Sequence, residues 1–338
     1  MNLRRRRDTV AWMLRAGALA LAAAFVCAAP ADGAYPGRNG RVAYVESALG
    51  RIGSGWGPTI VSVRLDGTGR QTLTTATRTS GDFEPSWSPD GRRLAYVHST
   101  GRQLGPGTSG TEIWVMNADG SSKRRLTRNS LWDGSPTWSP DGRSILFVRG
   151  RLFVGRHEQP SADLWVMRAD GQGQRRLTRT PELELDPTWA PRGDRLAFLV
   201  APLTRSCNPR RCTVGREREL WTSAPDGTRR AGGGLGGDLI PSAPTWSPDG
   251  SRLAAGTRLG LITVAADGGD PRLLGGGDDP AWSPDGTLLV VTDQFGRANF
   301  LGLQVVTVGG RSSPLTHNPA PAAELLIDQT QPDWQPLR

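Results

Sequence analysis

Lysine is nearly missing from this 338-residue chain: Lys123 is the only one, so arginine carries almost all the basic charge. The arginines are scattered through every repeat rather than gathered on one stripe, whereas nucleic-acid binding needs a clustered basic footprint. No nucleic-acid partner is expected. Histidine is also scarce, with only His98, His157 and His317, too few to name a metal site or a general base. The nucleophile phrase G-x-S-x-G, the metal phrase H-E-x-x-H and a phosphate-cradling glycine loop are missing as well. Catalytic residues, metal ligands and cofactor are therefore all expected to be none.

Long apolar runs are missing after the first thirty residues, so no membrane span is expected in the mature domain. The exception is at the start, where Arg4 to Arg7 precede a mainly apolar run from Ala16 to Ala29 and then Ala29-Pro30-Ala31. That is the order of a secretory signal, and residues 1–31 are read as a signal peptide, with an uncleaved anchor as the rival. Cleavage after Ala31 would remove five arginines and Asp8, lowering the formal charge from +9 to +5. The expected location is exported: extracellular, cell-surface or periplasmic. Only three cysteines occur, Cys27 and the pair Cys207 and Cys212. In an exported chain that pair reads as a small disulfide pinning a loop; a redox or metal pair is the alternative.

What the chain does have is a phrase that returns six times, built on Pro-x-Trp and usually reading P-x-W-S-P-D-G. Its tryptophans are Trp87, Trp138, Trp189, Trp246, Trp282 and Trp334, at intervals of 51, 51, 57, 36 and 52 residues. Pro136-Thr137-Trp138 reads as a strand and Ser139-Pro140-Asp141-Gly142 as a turn, followed by strands at Ser144–Val148, Asp163–Met167 and Arg175–Thr178. Four short strands per unit at this spacing are the cue for a β-propeller. The first unit lacks its tryptophan strand, and Pro332-Asp333-Trp334 at the other end supplies it. The expected fold is all-β: a six-bladed β-propeller over residues 38–338, closed by the C-terminal strand joining the N-terminal blade.

These phrases, with Ile113 to Gly120 and Leu164 to Gly171, resemble the propeller repeats of the TolB family and its WD-like relatives. TolB itself carries an α/β domain before its propeller, and only about six residues separate the signal region from the first strand here. The resemblance implies the propeller without that domain.

Strand parity places the Ser-Pro-Asp-Gly and Ala-Asp-Gly turns on one face. The long inserts, roughly His98–Thr111, Arg149–Ala162, Ala201–Glu217 and Asp293–Gly302, share the other. Function is expected on the insert face. The acids that open the blades, Asp82, Asp133, Asp186, Asp238 and Asp279, fall there with His98 and His157. Either the acids line the axial mouth and bind a cation or basic ligand, or they hold the connections between blades as Asx turns do. Their unequal offsets from the tryptophans favour the second reading. The function expected is a non-catalytic exported propeller that binds a protein or peptide partner in the cell envelope, acting as a monomer. The alternative is a propeller hydrolase or lyase with its site at the axial channel mouth.

Overall fold

The computed structural model describes residues 36–49, 57–100, 110–151, 160–202, 205–207, 212–214, 218–228, 231–232, 239, 241–293, 302–316 and 326–337. The signal segment, Asp238, His157 and most of each insert lie outside the described residues. Six four-stranded antiparallel sheets form the blades of a propeller. Blade 1 pairs Leu326–Leu337 with Arg38–Leu49, then Thr59–Val63 and Gln71–Thr72. The other blades run in chain order and open with Ser80–Trp87, Trp132–Trp138, Leu183–Trp189, Ser242–Trp246 and Asp278–Trp282.

Each opening strand lies against the opening strand of the next blade, and the series returns to its start, so the tryptophan strands ring the axis. Proline explains their position. It cannot donate to a ladder and is confined to edges, and the free edge of an innermost strand faces the channel. In the five copies described there, the residue before the proline has positive φ: Glu84 (50°), Ser135 (49°), Asp186 (47°), Ala243 (35°) and Asp279 (46°). A break in register accompanies each, as between Phe83 and Ser86. The phrase therefore encodes a bulge that turns this residue out of the ladder.

The cores sit between blades. Ala43, Ile60 and Leu73 of blade 1 pack on Trp87, Leu94, Tyr96 and Met116 of blade 2. Ala95, Ile113 and Val115 on the other face of blade 2 meet Trp138, Ile145 and Phe147 of blade 3. In blade 2 the period-2 alternation of the second strand thus sends Leu94 and Tyr96 to the preceding blade and Ala95 to the following one. Closure is built in the same way: Trp334 lies opposite Val42, and its buried side chain packs with Ala281, Val290 and Leu303 of blade 6. Trp334 Nε1 donates to Ala281 O at 3.0 Å, as Trp138 Nε1 donates to Ser86 O at 3.2 Å.

Candidate functional site

The two ends of the ring are built differently. At the turn end, Ser139 Oγ donates to Asp141 Oδ1 (2.6 Å), which also accepts from Arg143 N (3.0 Å), while Ser144 N donates to Ser139 Oγ (2.9 Å). Ser88/Asp90, Ser247/Asp249 and Ser283/Asp285 repeat the cassette. Burial pushes the Asp141 carboxyl up, but the Ser139 hydroxyl and the Arg143 N–H outweigh it and hold it below the usual range. Gly142 has φ 68°, a conformation glycine adopts without strain, and a Cβ there would sit 3.4 Å from Pro89 of the preceding blade. These polar groups are used up in building the turn.

At the insert end the described acids, Asp82, Asp133, Asp186 and Asp279, fall into two sets with different offsets from their tryptophans. Asp82 and Asp133 stand five places before their tryptophans and face the second strand of their own blade. Asp82 Oδ1 is 2.7 Å from His98 Nδ1, and the His98 ring lies 5.2 Å from that of Trp114. Asp133, with no exposed surface, takes two bonds from Arg149 (2.6 and 2.8 Å) and one from Asn129 Nδ2 (2.7 Å). Glu184, the counterpart in blade 4, accepts from Thr178 and Thr180 Oγ1. These acids are held by side chains rather than by Asx turns.

Asp186 and Asp279 stand three places before their tryptophans, at the bulge, and Glu84 shares that position in blade 2. The three come from alternate blades, yet Asp186 and Asp279 both act on Glu84. Burial pushes the Glu84 carboxyl up to about 7, opposed by the N–H of Ser135 and reinforced by Asp186 and Asp279. Groups on blades that are not neighbours can couple in this way only across the axis. Ser135 N donates to Glu84 Oε2 at 2.5 Å and Ser135 Oγ to Asp186 Oδ1 at 3.0 Å, so Ser135 links blades 2, 3 and 4 at this level. Among the described residues, no group of three or more His, Cys, Asp or Glu is arranged to hold a metal ion.

Over 131 residues, 38% of this chain and 26% of the relative, the sequence is 33% identical to the Tol-Pal system protein TolB of Anaeromyxobacter dehalogenans strain 2CP-1. It is 30% identical to the uncharacterized peptidase YuxL of Bacillus subtilis over 118 residues, 35% of this chain and 17% of that one. The crystal structure of TolB from Acinetobacter baumannii superposes with a TM-score of 0.64 at 20% identity, covering 88% of this chain and 67% of that one. This chain is a six-bladed β-propeller whose repeats are similar to those of TolB. Its matches span about a quarter or less of the length of these curated relatives. No protein-family model matches it.

Two channel residues of this propeller escape a reading by residue type, Glu84 and Asp333. Both were signalled by position: Glu84 stands immediately before the proline of the phrase, and Asp333 between its proline and tryptophan. In the third insert, Arg205–Cys207 and Cys212–Val214 form a separate two-stranded hairpin with Cys207 directly opposite Cys212 in register.

Proposed function

We propose that this propeller is an exported, non-catalytic binding protein that holds a protein or peptide partner of the cell envelope on its insert-bearing face. The observation that carries this reading is the asymmetry between the two ends of the ring. Turn-end polar groups are committed to their own hydrogen bonds, while second-to-third-strand connections vary in length only at the other end. Blade 5 marks the baseline, with Thr257 and Gly260 already paired across a tight turn. Longer connections in the other blades exceed what joining two strands requires, and loops on a rigid scaffold are where binding residues concentrate. Likeness to proteins of the Tol-Pal system supports a protein partner, and the basic-then-apolar opening of residues 1–31 supports export.

A Cys207–Cys212 disulfide belongs to this reading. Directly opposed residues of an antiparallel pair lie about 4.5–5.5 Å apart at Cα, inside the range that a disulfide spans. Two titratable thiols in the exported protein would remove it.

The test replaces the inserts of blades 2, 3, 4 and 6 by the short blade 5 turn. The variant is expected to melt as a folded propeller and to lose the partner, with cross-links in the unaltered protein confined to the insert face. Binding that survives removal of all four inserts would sink the proposal.

A further inference from the structure

Blades 1 and 5 each place an arginine just before the first buried residue of the second strand, and they hold it in the same way. In blade 5, Arg252 Nε donates to Thr263 Oγ1 (3.3 Å), and its Nη2 to Thr263 O (3.2 Å) and Asp270 O (2.7 Å). In blade 1, Arg41 Nε donates to Ser62 Oγ (2.9 Å), and its Nη2 to Ser62 O (3.0 Å) and Gly69 O. Register makes the two sets equivalent. Val42 lies opposite Val63 as Leu253 lies opposite Val264, and Gly69 and Asp270 each stand two places beyond their Asp-Gly turn. Both have positive φ, 63° and 46°.

The two blades differ in the side chain at that last position. Asp270 Oδ2 accepts from Arg252 Nη1 and Arg272 Nη2, each at 2.8 Å, and these bonds hold its carboxyl below the usual range. Blade 5 therefore clasps a carboxylate between two guanidiniums. Blade 1 keeps two guanidiniums and has glycine in place of the carboxylate. A Cβ on Gly69 would sit 3.0 Å from Arg64 Nη1 and 3.2 Å from its Cζ, so Arg64 lies over the glycine that Arg41 also reaches. Burial and the Arg64 charge both lower the Arg41 guanidinium from its ordinary value. Among the described residues, neither arginine forms an ion pair. The pair lines an open cleft of about 520 Å³ at the turn end, with Gln335 and the exposed Leu65 and Leu337 on its sides. Asp66, the one acid in that lining, gives Oδ1 to Thr68 N and Oγ1 and feels the Arg64 charge without bonding it.

We propose that this cleft is a carboxylate receptor, binding an aspartate or glutamate side chain of a peptide partner where the Asp270 carboxylate lies in blade 5. Planar guanidiniums match a carboxylate in shape and charge. Arg41 is already fixed by three bonds, so little freedom is lost on binding. Leu65 and Leu337 offer cover to apolar residues that flank the acid. The cleft lies at the end of the ring opposite the inserts, so removing the inserts should leave it intact.

The experiment titrates the isotope-labelled protein with three probes, reading the Arg41 Nε–H signal. The probes are a blocked Leu-Asp-Leu peptide, its Leu-Asn-Leu counterpart and inorganic phosphate. The aspartate peptide should shift the signal saturably, and the asparagine peptide should bind at least about tenfold more weakly. Arg64→Gln should weaken the aspartate peptide about tenfold. Gly69→Asp supplies the blade 5 carboxylate from within; it should abolish binding and raise Tm by a few degrees. Aspartate tolerates positive φ there as it does at Asp270. The proposal is overturned by no saturable shift with the aspartate peptide, by equal binding of the asparagine peptide, or by binding of phosphate alone. Peptide affinity unchanged in R64Q or G69D overturns it as well. Should G69D fail to fold, R64Q decides alone, because Arg64 is exposed and holds no other element in place.

Discussion

Blades 2 and 3 are near copies whose Pro-x-Trp phrases start 51 residues apart, and they differ at one informative place. Each pairs a second-strand aromatic with a third-strand tryptophan, Tyr96 with Trp114 and Phe147 with Trp165, at the same 6.5 Å and nearly the same tilt. Each aims an aspartate at the residue two places beyond that aromatic. In blade 2 this residue is His98, in blade 3 Arg149. The guanidinium lies over both rings of its blade, 5.2 Å from Phe147 and 4.8 Å from Trp165, while making its two bonds to Asp133. The imidazole is shorter and holds its aspartate by one nitrogen, with its side chain 27% exposed against 10% for Arg149. One scaffold position thus yields a sealed ion pair in one blade and an accessible Asp–His pair in the next. A permanent charge must be enclosed with its partner, whereas an imidazole can be neutral and stay at the surface.

Breaking the sealed pair should have the largest effect. Asp133→Ala leaves the Arg149 guanidinium buried with only Gln174 and two ring faces, a situation that costs about 3–5 kcal/mol. A urea midpoint within error of the unaltered protein would show that the pair is not enclosed in solution. Asp82→Ala should cost less, about 1 kcal/mol, because the partly exposed His98 can exchange its lost bond for one to water. The comparison sharpens with His98→Arg. Alone it should change stability by less than about 1 kcal/mol, but in its background Asp82→Ala should become as damaging as Asp133→Ala. A double-mutant cycle measures that coupling directly. Additive effects would mean that blade 2 cannot enclose a guanidinium, and that the two blades differ by more than this residue.

The ring was legible in the sequence because it is written six times. Proline two places before each of the six phrase tryptophans, Asp-Gly turns at regular offsets and a first unit without its own phrase specify the strand order, the blade count and the closure through Trp334. Channel chemistry was legible only in part. Asp186 and Asp279 stand out as acids, but what puts them on the axis is a positive-φ bulge, and a bulge has no residue type of its own. Glu84, Ser135 and Ala243 occupy the same bulge with unrelated side chains, so only alignment on the tryptophan reveals them as equivalents. The partners of Asp82 and Asp133 were hidden for another reason. Each lies 16 residues downstream and becomes a neighbour through antiparallel register. Residue composition carries no record of that pairing.

The smallest effect belongs to the turn end, where blade 4, like blade 1 with its Gln335-Pro336-Leu337, departs from Ser-Pro-Asp-Gly. Ala190 and Arg192 stand where the cassette has serine and aspartate. The backbone still closes the turn, with Ala190 N on Arg195 O at 2.9 Å and Gly193 N on Ala190 O at 2.8 Å, so the side-chain bonds reinforce the turn without creating it. Restoring them by Ala190→Ser with Arg192→Asp should stabilise the propeller by about 1 kcal/mol near neutral pH. The added carboxyl should behave like Asp90, Asp141, Asp249 and Asp285, where burial is outweighed by hydroxyl and N–H donors that hold the group low. A lowered carboxyl contributes stability above its unfolded value and loses it as pH falls through the folded one. The gain should therefore shrink below about pH 4, the opposite of the trend for Glu84, whose raised carboxyl loses its contribution as pH rises toward 7. A melting curve in which the double variant gains equally at pH 3 and pH 7 would show that the turn is stabilised by packing rather than by its carboxylate.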